Sequence, residues 1–161
     1  MKYRNAMNRR RHMTGITMVE SLVALVVIAV GMLGIAGLYL ASLKAGRTAN
    51  LRVQAINLTA DMADRIRANK LARAAYGSAQ YEGEPASHDC TTVTCTPADM
   101  AENDLNDWFE TLDVSLRNLN ATGTVVFTDN AAPEPDSYVI TVSWREAGED
   151  APNTVTAAVE L

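Results

Sequence analysis

One carboxylate lies at the start of a long apolar stretch and is the first candidate for chemistry. Glu20 follows Gly15 by five residues, and the nineteen residues from Leu22 to Leu40 carry no charge. A charged side chain at the centre of a membrane helix costs about 2.5–3.5 kcal/mol on insertion scales, so such a residue is a functional candidate. The alternative is that the Glu20 side chain merely extends from the end of a membrane helix into the polar boundary.

The two cysteines, Cys90 and Cys95, could form a disulfide, bind a metal or remain free thiols. In an oxidising compartment, two cysteines this close in sequence indicate a small disulfide loop. Closing that loop would stabilise the fold by roughly 2 kcal/mol in the chain-entropy model. A metal site made of His88, Cys90 and Cys95 would lack a fourth ligand and a Cys-x-x-Cys pair. These spacings favour the disulfide.

The sequence lacks the motifs of the common enzyme classes. It has two histidines, His12 and His88, and it contains neither Gly-x-Ser-x-Gly, nor His-Glu-x-x-His, nor a phosphate-binding loop. The acidic residues between 99 and 113 lack the Asp/Asn alternation and central glycine of a calcium loop. We therefore predict no enzymatic activity, no cofactor and no metal.

Charge is distributed unequally along the chain, which has a net charge of -5. Residues 1–15 contain five basic residues and no acidic one: Lys2, Arg4, Arg9, Arg10 and Arg11. Without these five, nine of the fourteen basic residues remain against nineteen acidic residues, which gives the rest of the chain a net charge of -10. Such a surface disfavours a nucleic-acid partner. The basic leader also predicts a cytoplasmic N-terminus, with everything after Ser42 on the other side of the membrane.

The elements that position Glu20 and the cysteines follow from periodicity. The uncharged residues 22–40 would cover about 28 Å as a helix, which is enough to span a membrane. This run is too long for a cleaved secretory signal, although a secreted soluble protein is the alternative. An apolar stripe with helical period continues beyond it, so one helix is predicted to about Ala75. Its members are Leu51, Ala55, Leu58, Met62 and Ile66.

The second half of the chain is predicted to form a small α+β head. Residues 76–96 have loop composition. Thr96-Pro97 begins a second helix over about 97–118, with apolar residues at helical spacing. Three β segments follow, at 124–128, 137–145 and 154–161, joined by two short connections that predict an antiparallel meander. Its apolar face is expected to pack on the long helix and on the helix of Trp108.

At its start the chain resembles the class III signal of type IV prepilins and of type II secretion pseudopilins. The motif reads Gly15, Ile16, Thr17, Met18, Val19, Glu20, followed by the apolar helix. The resemblance implies cleavage after Gly15 by a prepilin peptidase and N-methylation of Ile16. The family more often has Phe at this first mature position, and Ile departs from that pattern but is also apolar. The resemblance further implies that Glu20 meets the free amino terminus of a neighbouring subunit in the filament.

The run from Val19 to Leu38 and the strand segment from Tyr138 to Glu146 are similar to the PilV family of minor pilins. This resemblance implies a type IV pilin-like fold, with a cleaved leader (1–15), a long helix (16–75, of which about 20–42 lie in the membrane) and a periplasmic head (76–161). It implies insertion in the inner membrane, then assembly with other minor pilins and the major pilin. It also implies a role in priming the pilus tip beside a large adhesin. The alternatives are a minor pseudopilin of a type II secretion system and a direct adhesin that binds through 76–96.

Overall fold

The computed structural model describes residues 17–77, 89–117, 119–130 and 133–161. The elements are α1 (Met18–Ala68), a 3-10 helix (Lys70–Tyr76), α2 (Pro97–Ser115), β1 (Thr122–Thr128), β2 (Ser137–Trp144) and β3 (Asn153–Glu160). This combination of a long helix, a second helix and a small antiparallel sheet confirms the predicted α+β class. The chain divides after Lys44 into two compact units, Met1–Lys44 and Ala45–Leu161. The predicted leader, 1–15, lies outside the described residues.

α1 ends earlier than predicted. The sequence predicts one helix to about Ala75, but the α-helix stops at Ala68 and a 3-10 helix follows. Arg73 interrupts that segment with a φ of 41°, a positive value that residues other than glycine rarely adopt. The break brings Tyr76 into the core, where its side chain is fully buried. Tertiary packing thus overrides the local helical preference.

α2 begins where it is predicted to begin. The Thr96 side chain accepts a hydrogen bond from the Asp99 amide, and the Asp99 carboxylate accepts one from the Thr96 amide, which completes a capping box. The helix ends at Ser115, before the predicted residue 118. Leu116 leaves the helical conformation and is almost completely buried, because the chain turns there toward the sheet.

The sheet has the predicted order β1-β2-β3, and both neighbouring pairs are antiparallel. Along β2 the inner side chains are buried and alternate with outer ones as predicted: Tyr138, Ile140, Val142 and Trp144. β1 begins two residues before the predicted start, at Thr122. It includes Gly123, which precedes the predicted segment 124–128 and lies against the ring of Trp108.

One apolar core joins the sheet to both helices in the unit that begins at Ala45. α1 supplies the predicted stripe, α2 supplies Trp108 and its neighbours, and the sheet supplies its inner face. The indole Nε1 of Trp108 donates a 2.8 Å hydrogen bond to the carbonyl oxygen of Leu58. This bond satisfies a buried donor and fixes α2 against α1.

Candidate assembly helix and disulfide loop

Glu20 lies in the first turn of α1 and is exposed. Its amide donates a 3.3 Å hydrogen bond to Oγ1 of Thr17, so Thr17 caps the helix. A carboxylate in this position also interacts favourably with the positive end of the helix dipole. Gly15 and Ile16, the predicted cleavage and methylation sites, lie outside the described residues.

The residues that follow Glu20 form an uncovered apolar surface. Every residue from 17 to 47 is exposed, and the large apolar side chains between Leu22 and Leu43 are each more than half exposed. Among the described residues, α1 is the one helix whose length and composition allow it to cross a membrane. A surface this apolar requires lipid or other apolar protein surfaces around it.

The two cysteines form a disulfide bond, with their Cα atoms 5.6 Å apart. The loop that they close is held by Asp89, whose carboxylate accepts hydrogen bonds from the amide and the hydroxyl of Thr91. These bonds lower the pKa of Asp89. Cys95 directly precedes the cap residue Thr96, so the disulfide loop is attached to the start of α2. Sulfurs joined in this way are not available as thiolate ligands; His88 lies outside the described residues.

An ionic cluster that the sequence analysis did not identify joins α1 to α2. The Arg65 guanidinium lies 3.0 Å from Asp61 and 3.1 Å from Asp104, at N–O distances typical of charge-assisted hydrogen bonds. The Tyr76 hydroxyl donates to Asp104, and burial together with this bond raises the pKa of Tyr76. The carboxylate oxygens of Asp104 thus connect α1, α2 and the 3-10 helix. Asp104 is 39 positions from Arg65 and 28 positions from Tyr76 in the sequence, so no local pattern indicates that these three residues meet.

A second ionic contact fixes the turn between β1 and β2. Arg73 donates hydrogen bonds of 2.7 Å to Asp136 and 3.1 Å to Asp129. The hydrogen bond from Arg73 lowers the pKa of Asp136. The left-handed backbone of Arg73 therefore coincides with a side chain that reaches both carboxylates. Arg73 thus has an unfavourable backbone conformation and forms ion pairs with two carboxylates at the protein surface.

Three buried polar atoms lack a hydrogen-bond partner within the described part of the chain. They are Oε1 of Gln54, Nε1 of Trp144 and Oε1 of Glu146. Glu146 is only 6% exposed, and its other oxygen accepts a 2.9 Å hydrogen bond from Thr48 on α1. That bond ties the turn after β2 to the first residues of α1 in the head. Sequence alone would have placed Glu146 on the surface, since a lone turn glutamate is usually exposed.

Two open clefts are lined by described residues of the unit that begins at Ala45, along α1 and α2. One, of about 430 Å³, is lined by Arg65, Asn69, Cys95, Pro97 and Met100 among others, and another, of about 390 Å³, lies near Gln54 and Thr111. The polar groups in the first are already bonded to one another, as Asn69 donates to the Pro97 carbonyl. In the ranges that the structure describes, no three His, Cys, Asp or Glu residues form a group that could hold a metal ion.

A family model described as Tt1218-like, type IV pilin Tt1218, matches residues 37–106. The match supports a type IV pilin. The matched residues include the end of the apolar stretch, the buried half of α1, the disulfide loop and the first half of α2. The three-stranded antiparallel sheet and the second helix are consistent with a type IV pilin fold. No curated protein and no solved structure matches the chain.

Pilin subunits are structural proteins, so the match also agrees with the prediction of a non-enzymatic role. It further agrees with a membrane-anchored chain that is later assembled with other pilins. The PilV resemblance, the prepilin signal and the roles of Gly15, Ile16 and Glu20 stay predictions. Sequence reasoning identified the long apolar N-terminal helix and the disulfide. It missed the Arg65 cluster and Glu146, which become visible only when distant residues meet.

Proposed function

We propose that this pilin is a minor subunit of a type IV pilus, of the PilV type, that helps to prime assembly at the pilus tip. The observation that carries this proposal is the exposed, uncharged surface of α1 over residues 21–43, which follows a single carboxylate in the first turn of the helix. A chain with this surface is stable only among lipids or among similar helices. Both environments occur in succession for a subunit that leaves the inner membrane and enters a filament.

Processing is the first step of the proposed function. A prepilin peptidase cleaves after Gly15, and Ile16 becomes the N-methylated first residue of the mature chain. Cleavage also removes the five basic residues of the leader, which hold the N-terminus on the cytoplasmic side while the head is periplasmic. Intact mass and N-terminal sequence, measured on protein from cells that contain the peptidase, test this step. A mature chain that still carries residues 1–15 would contradict it, and Gly15→Ala is expected to give that uncleaved chain.

Pairing in the filament is the second step. The new amino group at Ile16 and the Glu20 carboxylate of a neighbouring subunit carry opposite charges in a low-dielectric helix bundle, where each stabilises the other. We expect Glu20→Gln to be inserted and processed normally but to be depleted from sheared filaments. Glu20→Asp, which keeps the charge, is the matched control and should be incorporated better than the Gln variant. Equal incorporation of all three chains would contradict the pairing.

The partners follow from this role: the prepilin peptidase, the other minor pilins, the major pilin and a large tip adhesin. The alternative machine is a type II secretion system, in which the chain would be a minor pseudopilin with the same processing. Deletion of the gene separates the two machines. Loss of surface pili with normal secretion supports the pilus, and loss of secretion with normal pili supports the pseudopilin.

A further inference from the structure

The two edges of the sheet are covered to different extents. β1 lies at one edge and is approached by the end of the 3-10 helix, since a Cβ atom placed on Gly77 would lie 2.9 Å from Cβ of Phe127. β3 lies at the other edge, and in the described ranges it pairs with β2 alone. Within the part of the chain that the structure describes, the backbone groups on its far side therefore form an open hydrogen-bonding edge.

The hydrogen bonds of the sheet identify the groups that face this open edge. The Leu161 amide donates a 2.9 Å bond to the carbonyl oxygen of Asp136, so Leu161 points toward β2. Residues alternate between the two sides of an antiparallel strand, and the continuous register makes the odd-numbered residues of β3 bond to β2. The even-numbered residues direct their amide and carbonyl groups away from the sheet: Thr154, Thr156, Ala158 and Glu160.

The inner face of β3 is also less covered than that of β2. All four inner side chains of β2 are buried, whereas Val155 and Ala157 of β3 are only partly buried. Exposed edge strands usually carry lysine, proline, a bulge or an inward charge that prevents pairing. From Thr154 to Val159 there is neither charge nor proline, and the register with β2 is unbroken over eight residue pairs.

From these observations we propose that β3 accepts an extended strand from a different protein of the assembled filament, which adds a fourth strand to the sheet. This inference rests on the proposed function, because it places the partner in the filament. The chemistry of the edge defines that partner as a segment without charges opposite 154–159. Apolar side chains at alternate positions would cover Val155 and Ala157, and main-chain hydrogen bonds would provide most of the affinity.

A second copy of this chain does not fit the edge. Two identical β3 strands that pair antiparallel are related by a two-fold axis normal to the sheet. Such an axis would reverse the direction of one head relative to the other. The subunits of one filament share one direction, so their heads are not related by this axis. An acidic strand fits poorly as well, since residues 74–161 contain sixteen acidic and two basic residues.

Hydrogen exchange resolved to single amides tests the proposal on the full chain. In the subunit isolated in detergent, the amides of Thr154, Thr156 and Ala158 should exchange rapidly, while those of Val155, Ala157 and Val159 should be protected by β2. In sheared filaments, the even-numbered amides should slow by on the order of 100-fold. Exchange rates that are equal in the two states would overturn the proposal. If protection of these amides increases with the concentration of the isolated subunit, the edge pairs with a second copy of this chain, and the proposal of a strand from a different protein is overturned.

A pair of variants at one position tests the same edge in the filament. Thr156→Pro removes an amide that faces the open edge and leaves the bonds to β2 in place, a position at which sheets tolerate proline. Thr156→Val keeps the amide and is the matched control. We expect the Pro variant to be processed normally but at least several-fold depleted from filaments, and the Val variant to resemble the wild type. Ala158→Lys, which adds a charge at the edge, should repeat the depletion.

The outcomes separate the two proposals. If the unmodified chain is absent from filaments, the proposed function fails. If the chain is incorporated and Thr156→Pro and Ala158→Lys are incorporated equally well, the pilin role stands and the strand-addition proposal fails.

Discussion

The two halves of α1 differ in what surrounds them, although they belong to one helix. Residues 17–47 are all exposed, while the second half buries a stripe against α2 and the sheet. Composition and spacing both separate them. The first half carries no charge from residue 21 to residue 43 and has apolar residues on all sides, whereas the second half carries charged residues and its apolar residues form one stripe. The first half thus depends on other molecules, and the second contributes to the stability of its own head.

The strongest test of this comparison makes the same substitution in each half. Met62 is completely buried and Met32 is 66% exposed. Met62→Ala should lower the free energy of unfolding of the head by about 2–5 kcal/mol, because it leaves a cavity. Met32→Ala should change it by less than about 0.5 kcal/mol. Thermal unfolding in detergent, followed by tryptophan fluorescence, measures both. Equal losses would contradict the division of α1.

Glycines provide the second test. A Cβ atom on Gly123 would lie 2.7 Å from two ring carbons of Trp108 and 2.9 Å from Leu112, whereas one on Gly34 has no neighbour within 4 Å. Gly123→Ala should therefore destabilise the head by about 1–3 kcal/mol through overpacking. Gly34→Ala should leave head unfolding unchanged in detergent. A head that tolerates Gly123→Ala without loss would show that Trp108 moves freely.

Helix caps give a smaller effect. Thr96→Ala removes the capping box of α2 and should cost about 1 kcal/mol of head stability, while Thr96→Ser should retain most of it. Thr17→Ala removes the cap at the start of α1, in the exposed first half of that helix. It should leave the unfolding midpoint of the head unchanged. A shift of that midpoint by Thr17→Ala would mean that the two halves unfold together.

The smallest effect is a pH dependence of the head. The hydrogen bond from Arg73 lowers the pKa of Asp136 in the folded protein below its ordinary value of 3.8. This contribution to stability is complete above that ordinary value and is lost as the pH falls through the lower folded pKa. Asp136→Asn should reduce the loss of unfolding free energy on acidification, as measured by urea unfolding between about pH 5 and about pH 2. We call this fall in stability the acid limb.

The control for that measurement lies in the first half of α1. Glu20→Gln should leave the acid limb of the head unchanged, because Glu20 is exposed in a separate unit. Asp89 also has a lowered pKa and contributes in the same pH range, so the stability of Asp136→Asn is expected to retain some pH dependence. The test therefore compares the acid limb of each variant with that of the wild type. An acid limb that is identical in the wild type and in Asp136→Asn would contradict a role of the Arg73 contact.

The local features of this fold could be predicted because their signals lie within a few residues. The capping box at Thr96, the alternation along β2 and the disulfide between Cys90 and Cys95 are of this kind. The apolar run after Glu20 likewise indicates its environment by composition and length. The end of α1 could not be predicted in this way. Its residues keep good helical propensity up to Ala75, yet the chain breaks at Asn69.

The sequence by itself determined the long apolar helix, the α+β class of the head and the disulfide, since hydrophobic period and short spacing specify them directly. Only the tertiary structure decided where Tyr76 and Glu146 are buried, which carboxylates Arg65 binds and which edge of the sheet stays open. Each of these depends on residues far apart in the chain that meet at a distance of a few ångströms. A burial or pairing energy of that kind exceeds the local preference of any single segment and is not encoded in its pattern.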